Sequence, residues 1–107
     1  MSATNLEQLA ANSFSLQGDL LFSTAKKIFE TELEEFKEKL SNSNETLFEL
    51  SLKKVEQFDS SAIALLIEFF RIAQLYEKQL NICDMPEQMQ TLAKLSSINE
   101  LLTIKER

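Results

Sequence analysis

Three observations in the sequence predict an α/β fold. Segments that alternate polar and apolar residues take turns with segments whose apolar residues recur every three to four positions. The order is strand, helix, strand, helix, strand, helix, as for parallel strands joined by right-handed crossovers. The most apolar helical pattern begins where an apparent strand ends, at Phe58-Asp59-Ser60-Ser61-Ala62. Two hydroxyls there stand where a helix start has N–H groups to satisfy. A length of 107 residues, 44% of them hydrophobic, suits one compact domain over residues 1–107 with a single core.

Taken in order, Met1 to Asn5 is polar, and Asn5–Ala10 reads equally as a short edge strand or a helical turn. Ser13-Phe14-Ser15-Leu16-Gln17-Gly18 alternates with period two, as a half-buried strand does, and Gly18-Asp19 ends it. Ser23 or Thr24 is placed to cap a helix over Thr24–Leu40, in which Ala25, Ile28, Phe29, Leu33, Phe36 and Leu40 share a face. Glu and Lys fill the other face, which reads as solvated. Ser41–Asn44 is a loop of small polar residues that compete with helix through side-chain bonds to the backbone.

In Thr46–Leu52 the residues Phe48, Leu50 and Leu52 alternate as a strand, and Val55 and Phe58 carry the chain on to Asp59. The helix from Ser61 gathers Ala62, Leu65, Leu66, Phe69, Ala73 and Tyr76 on a core face. Its other side collects Ser60, Ala64, Ile67, Arg71, Gln74, Leu75 and Lys78, a mixed stripe that suits either ordinary surface or docking. Leu80–Cys83 is a short strand, with Cys83 a small buried hydrophobe. Pro86 falls in the first turn of a helix through Met89, Leu92, Ala93 and Leu95. Ile98–Ile104 reads as a last turn or short strand, and Lys105–Arg107 as a frayed end. Phe29, Phe36, Phe69 and Phe70 are core candidates rather than a ligand box. Ser60 and Ser61 read as caps worth about 1 kcal/mol, with Asp59 adding favourable charge at the helix start.

Composition excludes much chemistry. The chain has no histidine, so it cannot build Ser-His-Asp or Cys-His nucleophiles or the histidine-bearing zinc sites. A single glycine, Gly18, leaves no glycine-rich phosphate loop. A net charge of -6 opposes nucleic-acid binding. The lone Cys83 forms no intrachain disulfide, and no apolar run approaches a membrane span, which together suit a cytoplasmic protein.

An early strand ending Gly18-Asp19-Leu20, a first helix, a further strand and then Asp59-Ser60-Ser61 opening a helix resemble the STAS family, the sulfate transporter and anti-sigma-factor antagonist domain. The resemblance spans most of the chain. Members commonly show Asp-Ser-Ser/Thr-Gly-Leu at this turn, and here Ala62 and Ile63 replace the last two residues. It implies a mixed sheet of four to five strands with helices packed against it, and partner contacts through the helix that opens at Asp59. Ala64-Leu65-Leu66, Ala73 and Thr91-Leu92-Ala93-Lys94-Leu95 are most similar to the MlaB subgroup, small cytoplasmic STAS subunits of Mla phospholipid ABC transporters.

That likeness implies a protein without catalysis or cofactor of its own. It would bind an MlaF-like ATPase, in a complex with permease and substrate-binding subunits, and support its assembly and activity in outer-membrane lipid asymmetry. It would thus lie in the cytoplasm, peripheral to the inner membrane through its partner. The partner-binding or regulatory residues would be Asp59, Ser60, Ser61, Ala64, Ile67 and Arg71. Ser60 holds the position that is phosphorylated or pressed into the interface in the family. The alternative is an anti-sigma-factor antagonist in which a dianionic phosphate on Ser60 breaks an apolar interface. A small-molecule or lipid-binding module would instead need a sizeable apolar pocket.

Overall fold

The computed structural model describes residues 5–95 and 103–105, with the side chains of Phe29, Lys94, Leu95 and 103–105 outside that description. The readings for Phe29 and Leu95 as core, and for the stretch from Ile98 to Thr103, therefore fall wholly or partly outside the described residues. Strands β1 (Asn5–Ala10), β2 (Ser13–Leu20), β3 (Leu47–Phe58), β4 (Gln79–Cys83) and β5 (Thr103–Lys105) form one sheet in the order β1-β2-β3-β4-β5. β1 and β2 make an antiparallel hairpin, and every later pairing is parallel. The sheet is thus mixed, as the family resemblance implies. Asn5–Ala10 is the edge strand, and Lys105, expected in a frayed end, pairs with Cys83.

The helices are α1 (Phe22–Lys27), α2 (Leu33–Ser41), α3 (Ser61–Leu75) and α4 (Glu87–Leu95). α3 touches α1, α2 and α4, so the helices form one layer on one face of the sheet. Phe48, Leu50 and Leu52 of β3 lie buried beneath it. Leu47, Glu49 and Ser51 fall on the other face, beside Gln79, Asn81 and Cys83 of β4. Cys83 is buried with its thiol 3.6 Å from Glu49 Oε2. The central place of α3 in the helix layer also buries its Ile63 and Ile72, which the periodicity left off the core face. Phe14 and Phe36 meet edge to face at 5.3 Å, as do Phe36 and Phe69 at 4.8 Å, an arrangement the ring quadrupoles favour.

Two local irregularities explain where simple periodicity fails. Between α1 and α2 the chain makes a π turn, Ile28–Glu32, in which the Leu33 N–H reaches back to the Ile28 carbonyl. One extra residue per turn lets Ile28 and Leu33, five apart, both be buried. It also turns Glu32 inward, where its Oε2 accepts the Leu6 N–H of β1 at 2.9 Å. Glu32 is therefore no part of the solvated face. The helix also starts earlier than Thr24. Leu21 is the N-cap, and neither Ser23 nor Thr24 occupies that position. Thr24 serves from the third helical position, its Oγ1 accepting the Leu21 N–H at 3.0 Å and donating to the Asp19 carbonyl at 2.7 Å.

The second irregularity is in β3, which runs on through Val55 to Phe58, where the sequence places the end of the strand. Its register with β2 slips twice, between Ser15 and Gln17 and between Gly18 and Leu20, each time with an extra residue in β3. Bulges of this kind reset the alternation. Leu52, Val55 and Phe58, spaced by three, consequently all reach the core. β2 likewise does not end at Gly18-Asp19. Gly18 takes a φ of 90° at the second slip, a conformation open to glycine, and the strand continues to Leu20.

α3 ends in a Schellman motif, with Lys78 N–H on the Ala73 carbonyl at 2.7 Å and Glu77 N–H on the Gln74 carbonyl at 3.0 Å. Glu77 sits at the left-handed position, φ 59°, where a glycine is usual. Lys78 is then no member of the outward stripe. Its Nζ donates to the carbonyls of Ser43 and Glu45 at 3.0 and 2.6 Å, tying the end of α3 to the loop before β3.

Candidate functional site

β2 and β3 are parallel and Leu20 pairs with Phe58, so the turns that leave them lie side by side at one end of the sheet. The Asp59 N–H donates to the Leu20 carbonyl at 3.2 Å and joins the two. The Asp59 carboxylate completes the junction. Its Oδ2 accepts the Phe22 N–H at 2.9 Å and its Oδ1 the Ser61 N–H at 2.8 Å. One side chain therefore satisfies orphan donors at the starts of both α1 and α3. The Phe22 N–H holds the carboxyl below its ordinary value of 3.8, the Ser61 N–H and hydroxyl add to this, and partial burial works against it.

This geometry corrects the capping role given to the serines. Ser60 is the N-cap residue by position but makes no side-chain capping bond, its backbone being already helical at φ −62°, ψ −16°. The Ser61 N–H is instead taken by Asp59, one residue earlier. The Ser61 hydroxyl turns to Asp59 and is half-buried, whereas Ser60 is exposed. Of the two hydroxyls, Ser60 is the one presented to solvent.

Along α3 from Ser60, Ala64 and Arg71 are exposed on the same side, as the helical period requires. Arg71 holds Glu68 at 2.8 Å, one turn back. Ile67 departs from the expected outward row: it is half-buried and packs against the core. The row ends at Leu75, 69% exposed. Beside it, between α2 and α3, lies an open groove of about 570 Å³. The Glu34–Lys37 and Glu68–Arg71 ion pairs wall it, with Leu33, Ile72 and Leu75 as its apolar part.

One residue of the site escapes the sequence pattern. Phe22 is 83% exposed, the most exposed large apolar side chain among the described residues, and its N–H is fixed on Asp59. It lies in phase with Ala25 and Phe29, so periodicity alone assigns it to the core face. Only its place in the first turn, next to the Asp59 junction, puts it outside. No described helix is long and apolar enough to cross a membrane.

The sequence matches the family model described as "Mlab, STAS domain" over residues 7–103. None of the curated proteins matches it. Several solved structures share the fold at low identity. A candidate anti-sigma-factor antagonist from Thermotoga maritima superposes with a TM-score of 0.74 at 15% identity, covering 97% of this chain and 86% of that one. A STAS domain protein from Planctomyces limnophilus gives 0.69 at 14% identity, covering 99% and 91%. The Bacillus cell fate determinant SpoIIAA, in its phosphorylated form, gives 0.63 at 13% identity, covering 98% and 93%. At these identities the likeness is one of fold.

Proposed function

This chain belongs to the STAS family, matched by its MlaB model over residues 7–103, and on that premise we propose that it is a non-catalytic subunit of a phospholipid transporter. It binds the cytoplasmic ATPase of an Mla-type ABC transporter and supports its assembly and activity in lipid asymmetry. The observation that carries this reading is the Ser60 hydroxyl, exposed at the start of α3 and followed on the same side by Ala64 and Arg71. A small hydroxyl and a methyl allow close approach of a partner backbone, and Arg71 offers a fork of donors that fixes orientation.

The alternative is an anti-sigma-factor antagonist switched at Ser60, and the exposure of that hydroxyl to a kinase favours it. One feature weighs against it. Ala62 and Ile63 stand where members commonly carry Gly and Leu after the two hydroxyl residues, a departure from the pattern on which the switch operates.

The test is co-purification with the ATPase of the cognate transporter, expressed together with this chain. Ser60→Glu and Ala64→Glu are expected to abolish the association with circular dichroism unchanged, and Lys53→Glu, on an exposed position of β3, to leave it intact. Ile67→Asp is a poor probe, since it also strikes the core. If the wild-type chain does not retain the ATPase, the transporter reading fails. A phosphate on Ser60 in protein isolated from its own cells favours the switch.

A further inference from the structure

The docking surface read above has an aromatic component that neither the motif nor the helix stripe contains. Phe22 is fixed at its backbone by the same carboxylate that fixes Ser61, so the phenyl ring and the Ser60 hydroxyl are presented by one junction. A phenylalanine that is 83% exposed forgoes the burial that drives such a side chain inward. The surrounding charge is also distinctive. In a chain of net charge -6, α1 carries no acid and ends in Lys26 and Lys27. The Lys26 side chain is 85% exposed, with its nearest carboxylate, Glu30, 4.0 Å away.

Resting on the docking reading, we infer that Phe22 is the apolar anchor of the Ser60 surface and inserts into an acidic-rimmed apolar socket on the protein partner. Lys26, one turn along α1, faces the rim. The partner's chemistry follows from complementarity: an apolar cavity for the ring, a carboxylate for Lys26, and a small polar group against Ser60. Aromatic anchors set in a polar surround are where binding energy concentrates at protein interfaces. Backbone fixation makes this anchor more effective, because less freedom is lost when it docks. An anionic membrane is disfavoured as the occupant. One ring and two lysines on a helix of six residues fall short of stable membrane anchoring, and the net charge opposes it.

The experiment measures binding of the wild-type chain, Phe22→Ala, Phe22→Leu, Lys26→Glu and Ser60→Glu to the purified transporter ATPase, with sedimentation on mixed phosphatidylcholine and phosphatidylglycerol vesicles in parallel. Because the ring is exposed, Phe22→Ala should melt like wild type. The inference expects it to weaken binding by about 30-fold, Phe22→Leu to restore most of the loss, and Lys26→Glu to slow association and flatten its salt dependence. If Phe22→Ala binds within about twofold of wild type while Ser60→Glu does not bind, the anchor is wrong and the docking reading stands. If the wild-type chain fails to bind the ATPase, that reading falls and the anchor with it. Phe22-dependent sedimentation with vesicles and no ATPase binding assigns the ring to a membrane and overturns the inference.

Discussion

The backbone N–H of Phe22 donates to Oδ2 of Asp59 at 2.9 Å, across 37 residues of sequence. With Ser61 on the other oxygen, Asp59 holds two helix starts in fixed relation. Asp59→Ala releases both donors and should destabilise the fold by about 1–2 kcal/mol in urea titration, the range for a lost N-cap. Asp59→Asn should recover only part of this, because its amide nitrogen cannot accept the second N–H.

The same bonds make Asp59 a source of acid sensitivity. Its folded-state pKa lies below the ordinary 3.8, so the stabilisation is complete above that pH and is lost as pH falls through the lowered value. The stability difference between wild type and Asp59→Asn should accordingly be constant at neutral pH and shrink only below pH 3.8. A difference that already declines near pH 6 by chemical denaturation would show the assignment to be mistaken.

Glu32 anchors the edge hairpin through the Leu6 N–H. Glu32→Ala leaves that donor without its acceptor at a buried site, a loss of about 1–3 kcal/mol. Amide exchange at Leu6 should accelerate far more than at Leu50 of β3, whereas Glu32→Gln, which keeps an acceptor, should stay close to wild type.

Phe36 stands between Phe14 and Phe69 and is fully buried. Phe36→Ala should cost about 3–5 kcal/mol through lost transfer energy and the cavity left behind. Ring-current-shifted methyl resonances near the core should move with it.

At Glu77 the direction reverses. A non-glycine residue in the left-handed region costs about 1–2 kcal/mol, and glycine returns roughly 0.5–1 of this as extra freedom of the unfolded chain. Glu77→Gly should therefore raise stability by about 0.5–1 kcal/mol by thermal melts, with the Schellman bonds of α3 intact.

The alternation of elements and most core positions were legible because they depend on period and polarity, which neighbouring residues display together. Phe48, Leu50, Leu65, Leu66 and Phe69 are buried as their spacing requires. The Asp59 turn was legible as a strand-to-helix junction, but the division of labour within it was not. Which of Asp59, Ser60 and Ser61 caps α3 depends on the backbone angles at Ser60 and on a donor from a distant turn. Glu32 and Phe22 were invisible for related reasons. A π turn changes the phase of the pattern from inside, and a residue in phase with a buried face can still stand beyond its end.

Sheet order in this chain follows chain order, from β1 to β5. No strand has to be threaded between two neighbours already paired. Synthesis from the amino end can build the sheet by successive addition. In such an order the segment next in the chain is always the neighbour of the strand paired last.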